Sequence, residues 1–141
     1  MKDLSAFPRA AELMRVAREA ADGSYSPYSR FRVGAALLCS DGAVITGTNV
    51  ENRSFGLTIC AERSALVRAV AEGKRSFTAL AISCPDAEYP VSPCGACRQF
   101  LSEFVGPQFP VLFVGGAGDP VITTMGELLP YDALHELKEH G

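Results

Sequence analysis

The sequence predicts an α/β protein: a three-layer α/β/α sandwich on a mixed sheet of about five strands. Three observations lead there. Apolar runs at residues 31–39, 43–48, 77–84, 110–114 and 120–123 have the length and composition of strands. Two largely apolar segments of helical period, residues 60–72 and 94–105, lie between those runs, as helices seated on a sheet would. Ser40-Asp41-Gly42, between the first two runs, is hairpin chemistry, so that pair should be antiparallel. The strand–helix–strand connections around the two later helices predict parallel pairing in the rest.

Taken in order, residues 8–22 read as an amphipathic helix, because Ala10, Leu13, Met14, Ala17 and Ala21 recur at helical spacing. Pro8 suits its first turn and Gly23 its stop. Ser24-Tyr25-Ser26-Pro27-Tyr28-Ser29 is a turn-rich connector to the first strand. Residues 49–57 form a polar loop that delivers the chain to the helix at 60–72, with Thr58 as its cap and Gly73 as its end. Residues 85–91 are loop. Ser92 as cap and Pro93 in the first helical position start the helix at 94–105, which Gly106-Pro107 ends. Gly115-Gly116-Ala117-Gly118 separates the last two strands. Thr124-Met125-Gly126-Glu127 has capping-box form and predicts a short helix to Leu129. The tail, residues 131–141, is expected to be helical. No repeat, low-complexity tract or linker divides the chain, which reads as one domain over residues 1–141.

Charge and composition exclude some classes. A net charge of −3 without a basic run disfavours a grip on nucleic-acid backbone. No apolar run approaches a membrane span, and Met1-Lys2-Asp3-Leu4-Ser5 lacks the apolar core of a signal peptide, so the cytoplasm is the expected compartment. Five cysteines are an odd number for a disulfide framework, which favours metal or catalytic use. Cys39 and Cys84 each close an apolar run and are expected to be small buried residues.

The chemistry concentrates in Cys60-Ala61-Glu62-Arg63 and Pro93-Cys94-Gly95-Ala96-Cys97-Arg98, each at a predicted helix start. Backbone N–H groups and the positive end of the helix dipole gather there and favour thiolate, the form that binds metal. Cys94 and Cys97, three residues apart, face one side of their first turn. With Cys60 they supply three thiolates to a zinc ion, leaving one tetrahedral position for water. His135 and His140 sit in the tail and read as surface residues rather than as a fourth ligand. An open position marks a catalytic site. Glu62, beside a ligand in an apolar segment, is placed for general acid–base work. Arg63 can donate to a thiolate sulfur and offset the negative charge of a three-thiolate zinc. Arg98 reads equally as such a donor or as an ordinary ion-pair partner.

Cys-Ala-Glu followed by Pro-Cys-Gly-Ala-Cys, each at a helix start, resembles the cytidine/deoxycytidylate deaminase family, specifically its small three-cysteine branch. Ser26-Pro27-Tyr28-Ser29, residues 31–37, Asn49-Val50-Glu51-Asn52 and Glu127-Leu128-Leu129-Pro130 extend the resemblance over most of the chain. It implies one zinc held by Cys60, Cys94 and Cys97, with Glu62 as proton shuttle. It implies that Asn49 and Glu51 hold the ribose, that Phe31 packs on the pyrimidine, and that the Ala61 N–H meets the base carbonyl. Hydrolysis of cytidine and 2′-deoxycytidine to the uridines, with release of ammonia, is the activity it implies. The other readings are a deaminase of a related cytosine compound (a modified or antibiotic nucleoside, or a nucleotide) and a non-catalytic zinc-stabilised interaction module. A homotetramer is also implied, with loop 52–57 reaching a neighbour's pocket, and neither nucleic acid nor membrane as partner. The chain departs from the pattern at Arg53 and Phe55, and its tail lacks the Phe that relatives carry.

Overall fold

A computed structural model of the chain describes residues 4–134. The strands are β1 (Gly34–Cys39), β2 (Val44–Thr48), β3 (Phe77–Ser83), β4 (Pro110–Val114) and β5 (Val121–Thr124). They form one sheet in the order β2-β1-β3-β4-β5. The helices are α1 (Ala10–Ala21), α2 (Ala61–Ala71), α3 (Gly95–Ser102) and α4 (Met125–Leu128).

Every residue of β1 is buried, which is what a central strand needs when helices cover both faces. Ala36 and Leu38 pack with Leu13 and Ala17 of α1 on one face. Ala35 and Leu37 pack on the other with Ala61, Ala65 and Leu66 of α2 and Leu101 of α3. The predicted three-layer sandwich is therefore the observed one, with both cysteine-bearing helices on the same face.

The pairing differs from expectation at two of the four strand junctions. β1 is antiparallel to β2 as predicted, but it is antiparallel to β3 as well, and β4 is antiparallel to β5. Among the described strands only β3 and β4 run parallel. The crossover through α2 carries the chain from β2 past β1, so its two strands share a direction without being neighbours. The glycine-rich link after β4 is short enough to close a hairpin onto β5.

Element ends moved for local reasons. Residues 31–33, expected as strand, are irregular. Arg30 adopts a left-handed backbone (φ 57°), and the Phe31 carbonyl and Val33 N–H are bound by the Asn49 side chain instead of by a strand. Pro8 lies in the turn before α1, whose N-cap Arg9 is left-handed (φ 50°). Past Ser102, the Glu103 and Phe104 N–H groups bond to carbonyls three residues back, so the predicted helix to Val105 tightens and stops early. Thr124 caps α4 as predicted, its Oγ accepting from the Glu127 N–H at 3.3 Å. Residues 131–134 are not helical. The remainder of the predicted tail helix, with His135 and His140, lies outside the described residues.

Gly47 sets how closely α2 approaches the sheet. A Cβ there would stand 2.3 Å from the Ala65 nitrogen and 2.5 Å from the Ala61 carbonyl oxygen, both backbone atoms that cannot step aside. Gly47→Ala should push the first turns of α2 off β2. We expect a loss of about 1–3 kcal/mol, read as a lower urea midpoint at unchanged slope.

Candidate metal centre and active site

The two helices begin side by side, and a cysteine occupies the N-cap of each. Cys60 stands at the N-cap of α2 without a side-chain cap bond and Cys94 caps α3, both with extended backbone. The Cys94 sulfur accepts the Cys97 N–H at 3.4 Å, the bond expected from a serine cap. Thr58 and Ser92, the predicted caps, serve elsewhere. The Thr58 hydroxyl accepts the Asn52 N–H, and the Ser92 hydroxyl accepts from Arg98. Pro93 consequently precedes the helix rather than opening it.

The sulfurs of Cys60, Cys94 and Cys97 lie within 4.8 Å of one another, and among the described residues this cluster has no fourth member. The Cys60–Cys94 separation is 3.7 Å and the Cys94–Cys97 separation 3.2 Å. Two thiolates at about 2.3 Å from a tetrahedral zinc lie about 3.8 Å apart, so the Cys60–Cys94 edge fits zinc and the Cys94–Cys97 edge would open slightly. Cys39 and Cys84 are buried outside the cluster. The Cys84 thiol donates to the Arg32 carbonyl at 3.5 Å, and burial pushes it up to about 12.

The surrounding hydrogen-bond donors favour a thiolate at Cys60. Hydrogen bonding from Cys97 first, and from Arg63 and Cys94 after it, lowers the Cys60 thiol to about 5. The same pairing, together with burial, raises Cys97. Arg63 Nη2 lies 3.6 Å from the Cys60 sulfur and donates to the Thr58 carbonyl at 3.3 Å. Its Nε is buried with no hydrogen-bond partner among the described residues. Glu62, in the first turn of α2, is only 8% exposed, and burial lifts its carboxyl to about 7. A carboxyl poised there can accept and return a proton near neutrality.

A second wall joins this centre through backbone pairing. Val50 and Ile59 exchange N–H···O bonds of 2.9 Å, which sets Asn49 and Glu51 beside the segment entering Cys60. Asn49 is buried, and its amide is well used. Oδ1 accepts from the Val33 N–H and the Ser24 hydroxyl, and Nδ2 donates to the Phe31 carbonyl at 2.8 Å. Asn49 therefore fixes the backbone of Phe31. Glu51 accepts from the Tyr28 and Ser29 N–H groups and from the Ser29 hydroxyl, which hold its carboxyl below the usual range. Ala61 is fully buried, and its N–H belongs to the first turn of α2, which has no carbonyl of its own to meet.

Sequence reasoning gave no role to the hydroxyls of Ser24 and Ser29; the turn chemistry of Ser26-Pro27-Tyr28-Ser29 was the available signal. Arg98 fits neither of its two expected readings, since its guanidinium meets the Pro93 and Leu128 carbonyls and the Ser92 hydroxyl. Arg53 is exposed and has no hydrogen bond or ion pair with another described residue. Phe55 is 74% exposed, edge-on to Tyr28. A cavity of about 690 Å³ opens between the end of α3 and α4, but no candidate site residue lines it. The chemistry lies with the cysteines instead.

An α/β/α sheet with three thiols at two helix starts, beside a buried carboxyl, defines a zinc–thiolate centre of hydrolytic type. Residues 8–112 match the family model described as the cytidine and deoxycytidylate deaminase zinc-binding region, and the chain belongs to that family. It is 50% identical over 118 residues to a cytidine deaminase of Halalkalibacterium halodurans, covering 84% of this chain and 89% of that one. It is 48% identical over 119 residues to a cytidine deaminase of Sporosarcina psychrophila, covering 84% and 87%. The crystal structure of cytidine deaminase from Burkholderia pseudomallei superposes with a TM-score of 0.82 at 45% identity, covering 85% of this chain and 95% of that one.

Proposed function

We propose that the chain is one deaminase domain that hydrolyses cytidine and 2′-deoxycytidine to the corresponding uridines, releasing ammonia. The observation that carries this reading is the buried Glu62 carboxyl in the helix turn that starts at Cys60, beside the three clustered sulfurs. Cys60, Cys94 and Cys97 would hold the zinc, which when bound supplies a Lewis acid that acidifies water at its remaining position. Glu62 takes a proton from the attacking water and passes it to N3 as the oxygen joins C4. It then carries a second proton to the departing amine, so that one water is consumed and one ammonia released. Arg63 draws charge from the Cys60 sulfur. The Ala61 N–H binds the base carbonyl, Phe31 packs on the ring, and Asn49 and Glu51 bind the ribose. Glu51 keeps capacity for a sugar hydroxyl, since three donors occupy about four lone-pair directions.

Assembly belongs to the same reading. Phe55 and Leu57 are 74% and 64% exposed on the loop beside Glu51, which supports a homotetramer in which loop 52–57 completes a neighbouring pocket. Among the described residues no helix is long and apolar enough to cross a membrane, and the proposed place of action is the cytoplasm.

The test is metal analysis of the purified protein with an ammonia-release assay over cytosine nucleosides, nucleotides and oligonucleotides. We expect one zinc per chain and turnover of cytidine and 2′-deoxycytidine. Turnover confined to another cytosine compound would replace the substrate, and a zinc-containing chain inert to the whole panel would replace the enzyme with an interaction module. Arg53, with no partner among the described residues, enters the same assay. If cytidine 5′-monophosphate is a substrate, Arg53→Ala should weaken it and spare cytidine, and a monophosphate inert to both proteins removes that role.

A further inference from the structure

The geometry points to Arg98 as a positioning residue for the metal centre: its guanidinium clasps the loop that carries Cys94 to the end of α4. Its side chain turns back toward the start of α3, as helical side chains do. Nε donates to the Pro93 carbonyl at 2.8 Å, Nη2 to the Ser92 hydroxyl at 3.1 Å and Nη1 to the Leu128 carbonyl at 2.8 Å. Leu128 is the last residue of α4, so its carbonyl has no N–H within that helix. All three acceptors are neutral and none belongs to a cysteine.

The clasp matters because of how differently the three sulfurs are held. Cys97 is buried and Cys60 half-buried, but Cys94 is exposed. Packing therefore does little for the Cys94 sulfur, and beyond its bond from the Cys97 N–H its place depends on the backbone of residues 92–94. Arg98 fixes two of those residues from one rigid planar group and braces them on an element more than 30 residues away in sequence. A lysine, with a single ammonium, cannot present that fork. The inference rests on the zinc reading above, and it makes zinc retention depend on the far end of the chain.

The experiment compares the zinc-loaded wild type, Arg98→Ala, Arg98→Lys and a control, Arg68→Ala, which removes an exposed α2 guanidinium bonded to Glu72 and Thr46. Zinc release to a chromogenic chelator is timed, and the thiolate charge-transfer and d–d bands of the cobalt(II)-substituted proteins are recorded. Removing a group that orients a metal ligand typically costs about 10–100-fold in metal affinity. Arg98→Ala should release zinc faster by about that factor, with altered cobalt bands. Arg98→Lys should fall between, and the control should match wild type. Added ethylguanidinium should slow release from Arg98→Ala. If Arg98→Ala does not fold, Arg98→Lys carries the same comparison. Release at the wild-type rate with unchanged cobalt bands overturns the inference, and so does lowered thermal stability with both readouts unmoved. A wild type that binds no zinc removes the zinc reading itself, and is thereby told apart from failure of the clasp.

Discussion

Glu62→Gln should keep its zinc, its fold and its affinity for nucleoside, and lose turnover by about 10⁴-fold or more. Gln is nearly isosteric, so a side chain only 8% exposed is replaced without a cavity. The amide still hydrogen-bonds a water, but it cannot take that water's proton at neutral pH. N3 then stays unprotonated and attack at C4 builds charge on the ring. General acid–base contributions run to roughly 10²–10⁴-fold, and a residue serving successive transfers belongs at the top of that range. Zinc by elemental analysis, binding by calorimetry and ammonia release together decide the point. A zinc-free variant would make Glu62 a ligand, and a fully active one would remove it from the mechanism.

Cys94→Ala should fail differently, losing metal, activity and stability at once. Its sulfur stands between the two helix starts, 3.7 Å from Cys60 and 3.2 Å from Cys97, and also caps α3. Removing it breaks the tie between α2 and α3 and takes metal-binding free energy out of folding. A fall in Tm of about 5–15 °C corresponds to a few kcal/mol for a chain of this size. Cys39→Ala makes the contrast, since Cys39 is buried outside the cluster and its loss should cost about 1 kcal/mol with zinc retained. Zinc kept by Cys94→Ala, or lost by Cys39→Ala, would overturn the assignment of ligands.

The layers of the fold were legible because apolar runs and helical period are local signals. The strand order was less so. Whether β3 pairs parallel or antiparallel with β1 depends on where the crossover lands, a choice made by packing far along the chain. The clustering of Cys60, Cys94 and Cys97 could be read because three thiols at two helix starts form a chemical pattern. The capping role of Cys94 was missed, since preference points to Ser92 while a sulfur at the N-cap can accept the same N–H. Asn49 reads as a polar loop residue, yet it is buried as a bracket for Phe31, because Arg30 turns the chain where the strand was expected. The partners of Arg98 include two backbone carbonyls, which every sequence has everywhere.

Cys94 and Cys97 are three residues apart, while Cys60 lies 34 residues before Cys94. In the unfolded chain the near pair still offers two adjoining sulfurs to a metal, and only folding delivers the third. At low buffered zinc, where the unfolded pair is empty, each tenfold rise in free zinc adds about 1.4 kcal/mol to stability by mass action. Once the pair fills, zinc binds both states and the increment flattens. The melting temperature is then a property of the medium as much as of the chain, and the level at which it stops climbing reports the grip of the two-cysteine pair in the unfolded protein.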